Sequence, residues 1–184
     1  MDHRDHVNLL RPADLPRGGR WADLGAGSGA FTLALRELVG PEAAIFAVDR
    51  DQGALRALER AYLARFGSAG NLQILPADLS LPLSLPPLDG LLMANALHFF
   101  REKRPLLKRL REYLKPGGAF LLVEYNVDAG NPFVPHPLSF DAWRLLAPSA
   151  GFTEPALLAR VPSKFLHEFY SALAHRAEQP PISS

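Results

Sequence analysis

The segment WADLGAGSGAFT, Trp21 to Thr32, constrains this chain more than any other stretch. A short apolar run carries an acid, Asp23, near its end, and glycines follow at alternate positions 25, 27 and 29 before a helical pattern begins. Strand, glycine turn and helix, in that order, form the unit with which an open α/β sheet holds a nucleotide-like ligand at a helix N-terminus. Asp23 narrows the choice of ligand. A carboxylate at a strand tip repels a dinucleotide pyrophosphate and suits a molecule that carries positive charge.

The chain then repeats the alternation. Short apolar runs predict strands at Arg20–Leu24, Ala44–Val48, Leu72–Leu75, Asp89–Ala94 and Ala119–Glu124. Between them, Ala30–Val39 is apolar nearly all round, and Gly53–Phe66 places Leu55, Leu58, Tyr62 and Phe66 at helical spacing. Another helix starts near Pro105, with Leu106, Leu107, Leu110 and Leu114 as its buried stripe, and ends at Pro116, Gly117 and Gly118. Such alternation with short links predicts a mostly parallel sheet covered by helices on both faces.

The C-terminal part departs from that rhythm. Asp128–Leu138 is a Pro/Gly/Asn loop long enough to suggest function, and Ser139 can cap a helix to about Leu146. Ala156–Val161 and Phe165–Ala174 read as two strands joined at Pro162–Ser163–Lys164, although the mixed periodicity of the second also fits a helix. Residues 1–19 form a polar, partly helical lead-in, and the tail 178–184 is expected to be disordered. With no repeat and no internal boundary, residues 1–184 are read as one domain.

Asp23, Asp49 and Asp78 each stand at or just beyond a strand, one βα unit apart. The carboxyl ends of adjacent parallel strands line one crevice, so three carboxylates are expected to share a site. They repel one another unless a ligand supplies donors or positive charge. An ammonium, a ribose diol and an adenine amino group supply them, which together describe S-adenosylmethionine. The glycines let backbone approach that ligand, and the helix start favours its carboxylate.

At this point the chain resembles the class I, seven-stranded, Rossmann-like S-adenosylmethionine-dependent methyltransferases. DLGAGSG is similar to their glycine-rich motif, AVDRD to the ribose-binding motif and PADLS to the adenine motif. DGLLMANALHFF resembles the fourth-strand motif, YLKPGGAFLLVE the helix, turn and fifth strand, and the last two strands the closing antiparallel hairpin. The resemblance implies a three-layer α/β sandwich around a mostly parallel seven-stranded sheet. It implies that Gly25, Ala26, Gly27 and Gly29 contact the methionine part, with Asp23 supporting the ammonium. Asp49 would bind the ribose hydroxyls and Arg50 lie along the adenine. Asp78 would accept from the adenine amino group beside the backbone of Leu79, and Asn95 would lie near the sulfonium. The product would be S-adenosylhomocysteine.

Other readings stand beside these. Gly25, Gly27 and Ala30 also satisfy the GxGxxA pattern of NAD-dependent oxidoreductases, with Asp49 where such enzymes hold a ribose. A non-catalytic S-adenosylmethionine-binding subunit shares every donor-side feature. Asp78 can cap a turn rather than touch a ligand. His98 follows the fourth strand and is a candidate general base, or else a wall of the cofactor pocket. Glu124 and Tyr125 end the fifth strand on the same side, so either could line the substrate site; Glu124 is a second catalytic candidate or the cap of a loop. His136 is a lid candidate, and His3 and His6, three apart without a third ligand, make a metal site unexpected.

The acceptor is narrowed by exclusion. After the fourth strand stands Asn95–Ala96–Leu97–His98, where methyltransferases of nucleic-acid base amines usually carry Asp/Asn–Pro–Pro–aromatic. The chain has no cysteine for attack on pyrimidine C5, a net charge of +1 and no basic run interleaved with aromatics. A small-molecule acceptor is therefore expected, with no nucleic acid or membrane partner and a monomer or homodimer. The absence of cysteine and of a signal-peptide core fits the cytoplasm.

Overall fold

A computed structural model describes residues 1–163 and 165–178. Seven strands form one sheet: β1 (Arg20–Leu24), β2 (Ala44–Asp49), β3 (Leu72–Pro76), β4 (Leu88–Ala94), β5 (Leu114–Tyr125), β6 (Ala156–Pro162) and β7 (Glu168–His175). Their spatial order is β3-β2-β1-β4-β5-β7-β6. The first five run parallel, and β7 pairs antiparallel with both β5 and β6. The order reverses between β1 and β4, so a crevice opens beyond their carboxyl ends.

Side-chain alternation decides which helix covers which face. Ile45 and Ala47 point toward α1 (His3–Leu10), α2 (Ala30–Val39) and α3 (Gln52–Phe66). Phe46 and Val48 point the other way, into the core that α4 (Lys103–Arg111) and α5 (Phe140–Ser149) complete with Leu107 and Trp143. The three-layer sandwich follows. Both tryptophans are fully buried, one on each side, and Gly90 gives Trp21 the room its indole needs.

Three local expectations are corrected. Leu114 is not the end of a helical stripe but the first residue of β5, paired with Leu88. The register then jumps to Gly90↔Ala119, so Lys115–Gly118 bulge out of a single strand instead of ending a helix. Gly117 adopts φ +72°, and Lys115 Nζ pins the bulge to Asp89 Oδ1 at 2.6 Å. The closing segment is a strand, but it starts at Glu168; Phe165 stays in the connection, and Lys164 lies outside the described residues, as does the tail from 179. The lead-in carries a short packed helix. A capping box between Asp2 and Asp5 starts α1, which buries Val7, Leu9 and Leu10. Among the described residues, no helix is long and apolar enough to cross a membrane.

Candidate functional site: a two-part crevice at the strand ends

The glycine loop is built by backbone demands. Gly25 has φ +81°, and a Cβ there would lie 2.5 Å from the Ala96 Cβ. Gly29 has φ +92° and is pressed against Leu58 of α3, whereas a Cβ at Gly27 would meet open space. Gly27 thus opens the loop toward the crevice, while Gly29 serves helix packing and lines neither cavity described below.

Two adjoining cavities meet at Gly25 and Asn95. The larger, about 650 Å³, is lined by Asp49, Arg50, Asp78, Leu79, Ser80, Ala96 and Phe99 among others. The smaller, about 210 Å³, is lined by His6, Asp23, Ala26, Gly27, Ser28, Phe31 and Ala94. Asp49 and Asp78 thus face one cavity and Asp23 its neighbour.

The three acids differ in state. Asp23 is 1% exposed, and burial pushes its carboxyl up to about 7, only partly offset by the Thr32 hydroxyl donating to Oδ2 at 2.6 Å and reinforced by the nearby Asp49 charge. Asp49 clamps the loop, accepting from the Gly27 amide (2.8 Å) and the Asp51 amide (2.9 Å), one on each oxygen. Asp78 is exposed and held below the usual carboxylate range by the Ser80 amide donating to Oδ1 at 2.8 Å. It therefore caps a turn and lines the cleft at once. Leu79 is fixed beside it by Arg109, which donates to its carbonyl at 2.5 Å. Arg50 stands exposed on the cleft wall, close enough to favour the Asp78 charge.

Asn95 carries the clearest sign of a missing partner. Its φ of +52° is left-handed, a conformation asparagine tolerates, and its buried Oδ1 has no hydrogen-bond partner among the described residues. A donor from a ligand would satisfy it. An ammonium shared between Asn95 Oδ1 and Asp23 would settle two costs together, the unpaired oxygen and the destabilised carboxylate. The residues present therefore fit an amino-acid tail in the small cavity and a nucleoside in the large one.

Beyond β4 and β5 stands a second constellation. His98 and Glu124, both buried, face each other with His98 Nδ1 2.8 Å from Glu124 Oε2, and the His98 amide donates to Oε1 at 3.1 Å. Either candidate alone was legible in the sequence; their pairing was not. The loop before α5 is tied to this pair: the His136 amide donates to the His98 carbonyl at 3.0 Å, and Lys103 Nζ donates to the carbonyls of Phe100 and His136. His136 is thus bound through its backbone. An aromatic row leads outward from the cleft. The Phe99 ring lies 4.3 Å from His98, Tyr125 6.2 Å from His98, and Phe165 6.0 Å from Tyr125, with Phe133 a further 5.9 Å on.

Sequence reasoning missed Thr32, His6, Lys103 and the phenylalanines of the aromatic row as parts of the site, though it had named Tyr125. Thr32 had a signal, a lone hydroxyl among the apolar residues Ala30–Leu35 that open the helix after the glycines. The others are brought in by tertiary packing.

Residues 22–120 match the family model described as a methyltransferase domain, more than half of the chain. The chain belongs to this family, the class I S-adenosylmethionine-dependent methyltransferases. It is 31% identical over 118 residues to the ubiquinone/menaquinone biosynthesis C-methyltransferase UbiE of Ectopseudomonas mendocina, covering 64% of this chain and 45% of that relative. It is 30% identical over 111 residues to the same-named enzyme of Pasteurella multocida, covering 60% and 41%. The chain thus spans less than half the length of these curated relatives. Its fold is shared with the YcgJ protein of Bacillus subtilis (TM-score 0.77, 14% identity, 96% of this chain and 100% of that one). An S-adenosylmethionine-dependent methyltransferase from Aquifex aeolicus also shares it (TM-score 0.73, 20% identity, 94% and 90%).

Proposed function

We propose that this chain transfers the methyl group of S-adenosylmethionine to an O, N or C atom of a small molecule, as a cytoplasmic monomer or homodimer. The observation that carries the donor assignment is the shared wall at Asn95: a buried Oδ1 without a partner among the described residues, beside a cavity that holds a buried acid and opens next to a cleft lined by three more, Asp49, Asp51 and Asp78. In this reading Asp23 and Asn95 hold the ammonium. Gly25, Ala26 and Gly27 flank the tail, and Asp49 accepts from the ribose hydroxyls on the lone pairs its backbone partners leave free. Arg50, Asp78 and Leu79 border the adenine, and Gly29 acts by seating α2 against α3. The bound cofactor supplies a methyl group on a positively charged sulfur, already activated toward a nucleophile. The protein's task is then orientation, which can contribute about 7–11 kcal/mol.

His98 is the proposed general base. With Nδ1 donated to Glu124, its Nε2 carries the lone pair that takes a proton from an acceptor hydroxyl, amine or acidic carbon. Glu124 fixes the ring's orientation and stabilises the imidazolium that results. The row Phe99, Tyr125, Phe165 and Phe133 forms an apolar rim beside His98, which supports a small organic acceptor. A basic surface for nucleic acid has no counterpart in this row. The two curated relatives are named as methylating carbon in quinone biosynthesis. That supports, for this chain, an acceptor whose nucleophilic atom sits in an electron-rich ring.

Calorimetry tests the donor assignment first. S-adenosylhomocysteine is expected to bind in the micromolar range and NAD not at all; the reverse result sinks it. Release of S-adenosylhomocysteine in a screen of hydroxylated aromatic acceptors then tests transfer, and a chain that binds the cofactor yet turns over none of them is a binding subunit.

A further inference from the structure

A methionine-like tail carries a carboxylate as well as an ammonium, and the glycine loop has few donors left for it. The amides of Gly25 and Ala26 both donate to the Val48 carbonyl, at 2.8 and 3.0 Å. The Gly27 amide is taken by Asp49 Oδ2 and the Gly29 amide by the Ala26 carbonyl. Four loop N–H groups are therefore consumed by the fold itself. Ser28 and the first turn of α2, which begins at a glycine without a side-chain cap, remain as neutral donors.

The wall of the small cavity supplies one more group. Of its lining residues only Asp23 and His6 titrate, so His6 is the one that can carry positive charge there. Its ring packs edge-on against Phe31 with centroids 4.7 Å apart. The helix that presents it is firmly held. His3 Nε2 lies 2.8 Å from Glu37 Oε2 on α2, Ser171 Oγ on β7 donates to the Leu9 carbonyl at 2.6 Å, and Val7, Leu9 and Leu10 are buried. His6 thus approaches the cavity from a fixed element and not from a fraying terminus.

We infer that His6 holds the carboxylate of the cofactor's amino-acid tail while Asp23 takes its ammonium, which makes α1 part of the donor site. The inference rests on the S-adenosylmethionine assignment above. Burial disfavours the charge on both groups, raising the Asp23 carboxyl and lowering the His6 imidazole, and a zwitterionic tail opposes each shift, its ammonium favouring the carboxylate and its carboxylate the imidazolium. The other charges around His6 are the Met1 amine, His3, Asp2 and Asp5 on its own helix, Glu37 on α2, which His3 engages, and Asp23 on β1.

Two ligands separate the tail from the nucleoside. S-adenosylhomocysteine has both; 5′-methylthioadenosine keeps the nucleoside and sulfur but lacks the charged tail. By calorimetry, His6→Phe, which preserves packing on Phe31, should weaken S-adenosylhomocysteine about 10- to 100-fold, as loss of a charge-assisted hydrogen bond requires. It should leave 5′-methylthioadenosine within twofold of wild type, and His6→Gln, with a neutral donor, should fall between. In the unaltered protein, the His6 ring pKa read by NMR should rise when S-adenosylhomocysteine saturates the site and stay put with 5′-methylthioadenosine. S-adenosylhomocysteine affinity within twofold in both variants, equal weakening of both ligands, or an unmoved His6 pKa would overturn the role. If the wild type binds neither ligand, the donor assignment fails, and the role of His6 goes with it.

Discussion

The two halves of the crevice are built by different means. On the donor side, around β1, β2 and β3, the work is done by backbone conformation and by acids spaced one βα unit apart. Asp49 even spends both oxygens organising the loop before it meets any ligand. On the acceptor side, around β4, β5 and the β6–β7 connection, it is done by side chains from distant segments. His98 meets Glu124 across 26 positions of sequence, and Phe165 reaches Tyr125 from the far hairpin. Main-chain geometry follows from the local sequence, whereas side chains from distant segments meet only through packing.

That contrast can be broken experimentally. The largest effect is expected at the acceptor side: His98→Ala should cut turnover by about 10²–10⁴-fold once an acceptor is found. Its affinity for S-adenosylhomocysteine should remain within a few-fold of wild type. Full turnover would remove the base, and a collapse of cofactor binding would show that the two halves are not separable.

Next comes Asp23, through pH. Its folded carboxyl titrates near 7, above the unfolded value of about 3.9, so the folded state binds the extra proton between those limits. Stability from this group is therefore fully present below about pH 4, is lost as pH rises from there to about 7, and changes no further above that. Asp23→Asn should match wild type in stability only below about pH 4, pull ahead as pH rises, and exceed it by on the order of 2–4 kcal/mol at pH 8 in denaturant melts without ligand. A gap that does not grow with pH would mean the carboxyl is not destabilised. The same variant should bind S-adenosylhomocysteine less well, since it removes the charge opposite the ammonium.

Asp49→Ala should cost about 1.5–3 kcal/mol of cofactor affinity, and part of that comes from releasing the Gly27 amide. Unchanged calorimetric affinity would take Asp49 out of the site. The smallest effect is expected at the rim. Phe165→Ala should raise the acceptor KM by about two- to tenfold, as loss of one half-exposed aromatic contact would, with kcat and donor affinity unmoved. A fall in kcat instead would place Phe165 in positioning the acceptor rather than in drawing it in.

Much of the donor side could be read residue by residue because its signals are local. Glycines at alternate positions between a strand and a helix, and acids at successive strand ends, leave few other conformations open. The misreadings are informative in the same terms. Leu114 continues the spacing of Leu107 and Leu110, and Pro116–Gly118 ends helices often enough to make the break convincing. The decisive fact, pairing of Leu114 with Leu88 and a bulge around Asp89, lies in another strand. Phe165 extends an apolar run, so it reads as strand, yet in the fold it joins the rim beside Tyr125 instead of the ladder.

By itself, the sequence determined the alternation of strands and helices, the glycine turn and the spacing of the three acids, because periodicity and turn chemistry act over a few residues. Tertiary structure decided what those groups are. It buried Asp23 and so raised its carboxyl, joined His98 to Glu124, turned Asp78 into both cap and cleft wall, and brought His6 of the lead-in to the wall of the smaller cavity beside Asp23. Burial and long-range contact set the energy of a charge, and neither is written in the neighbours a residue has along the chain.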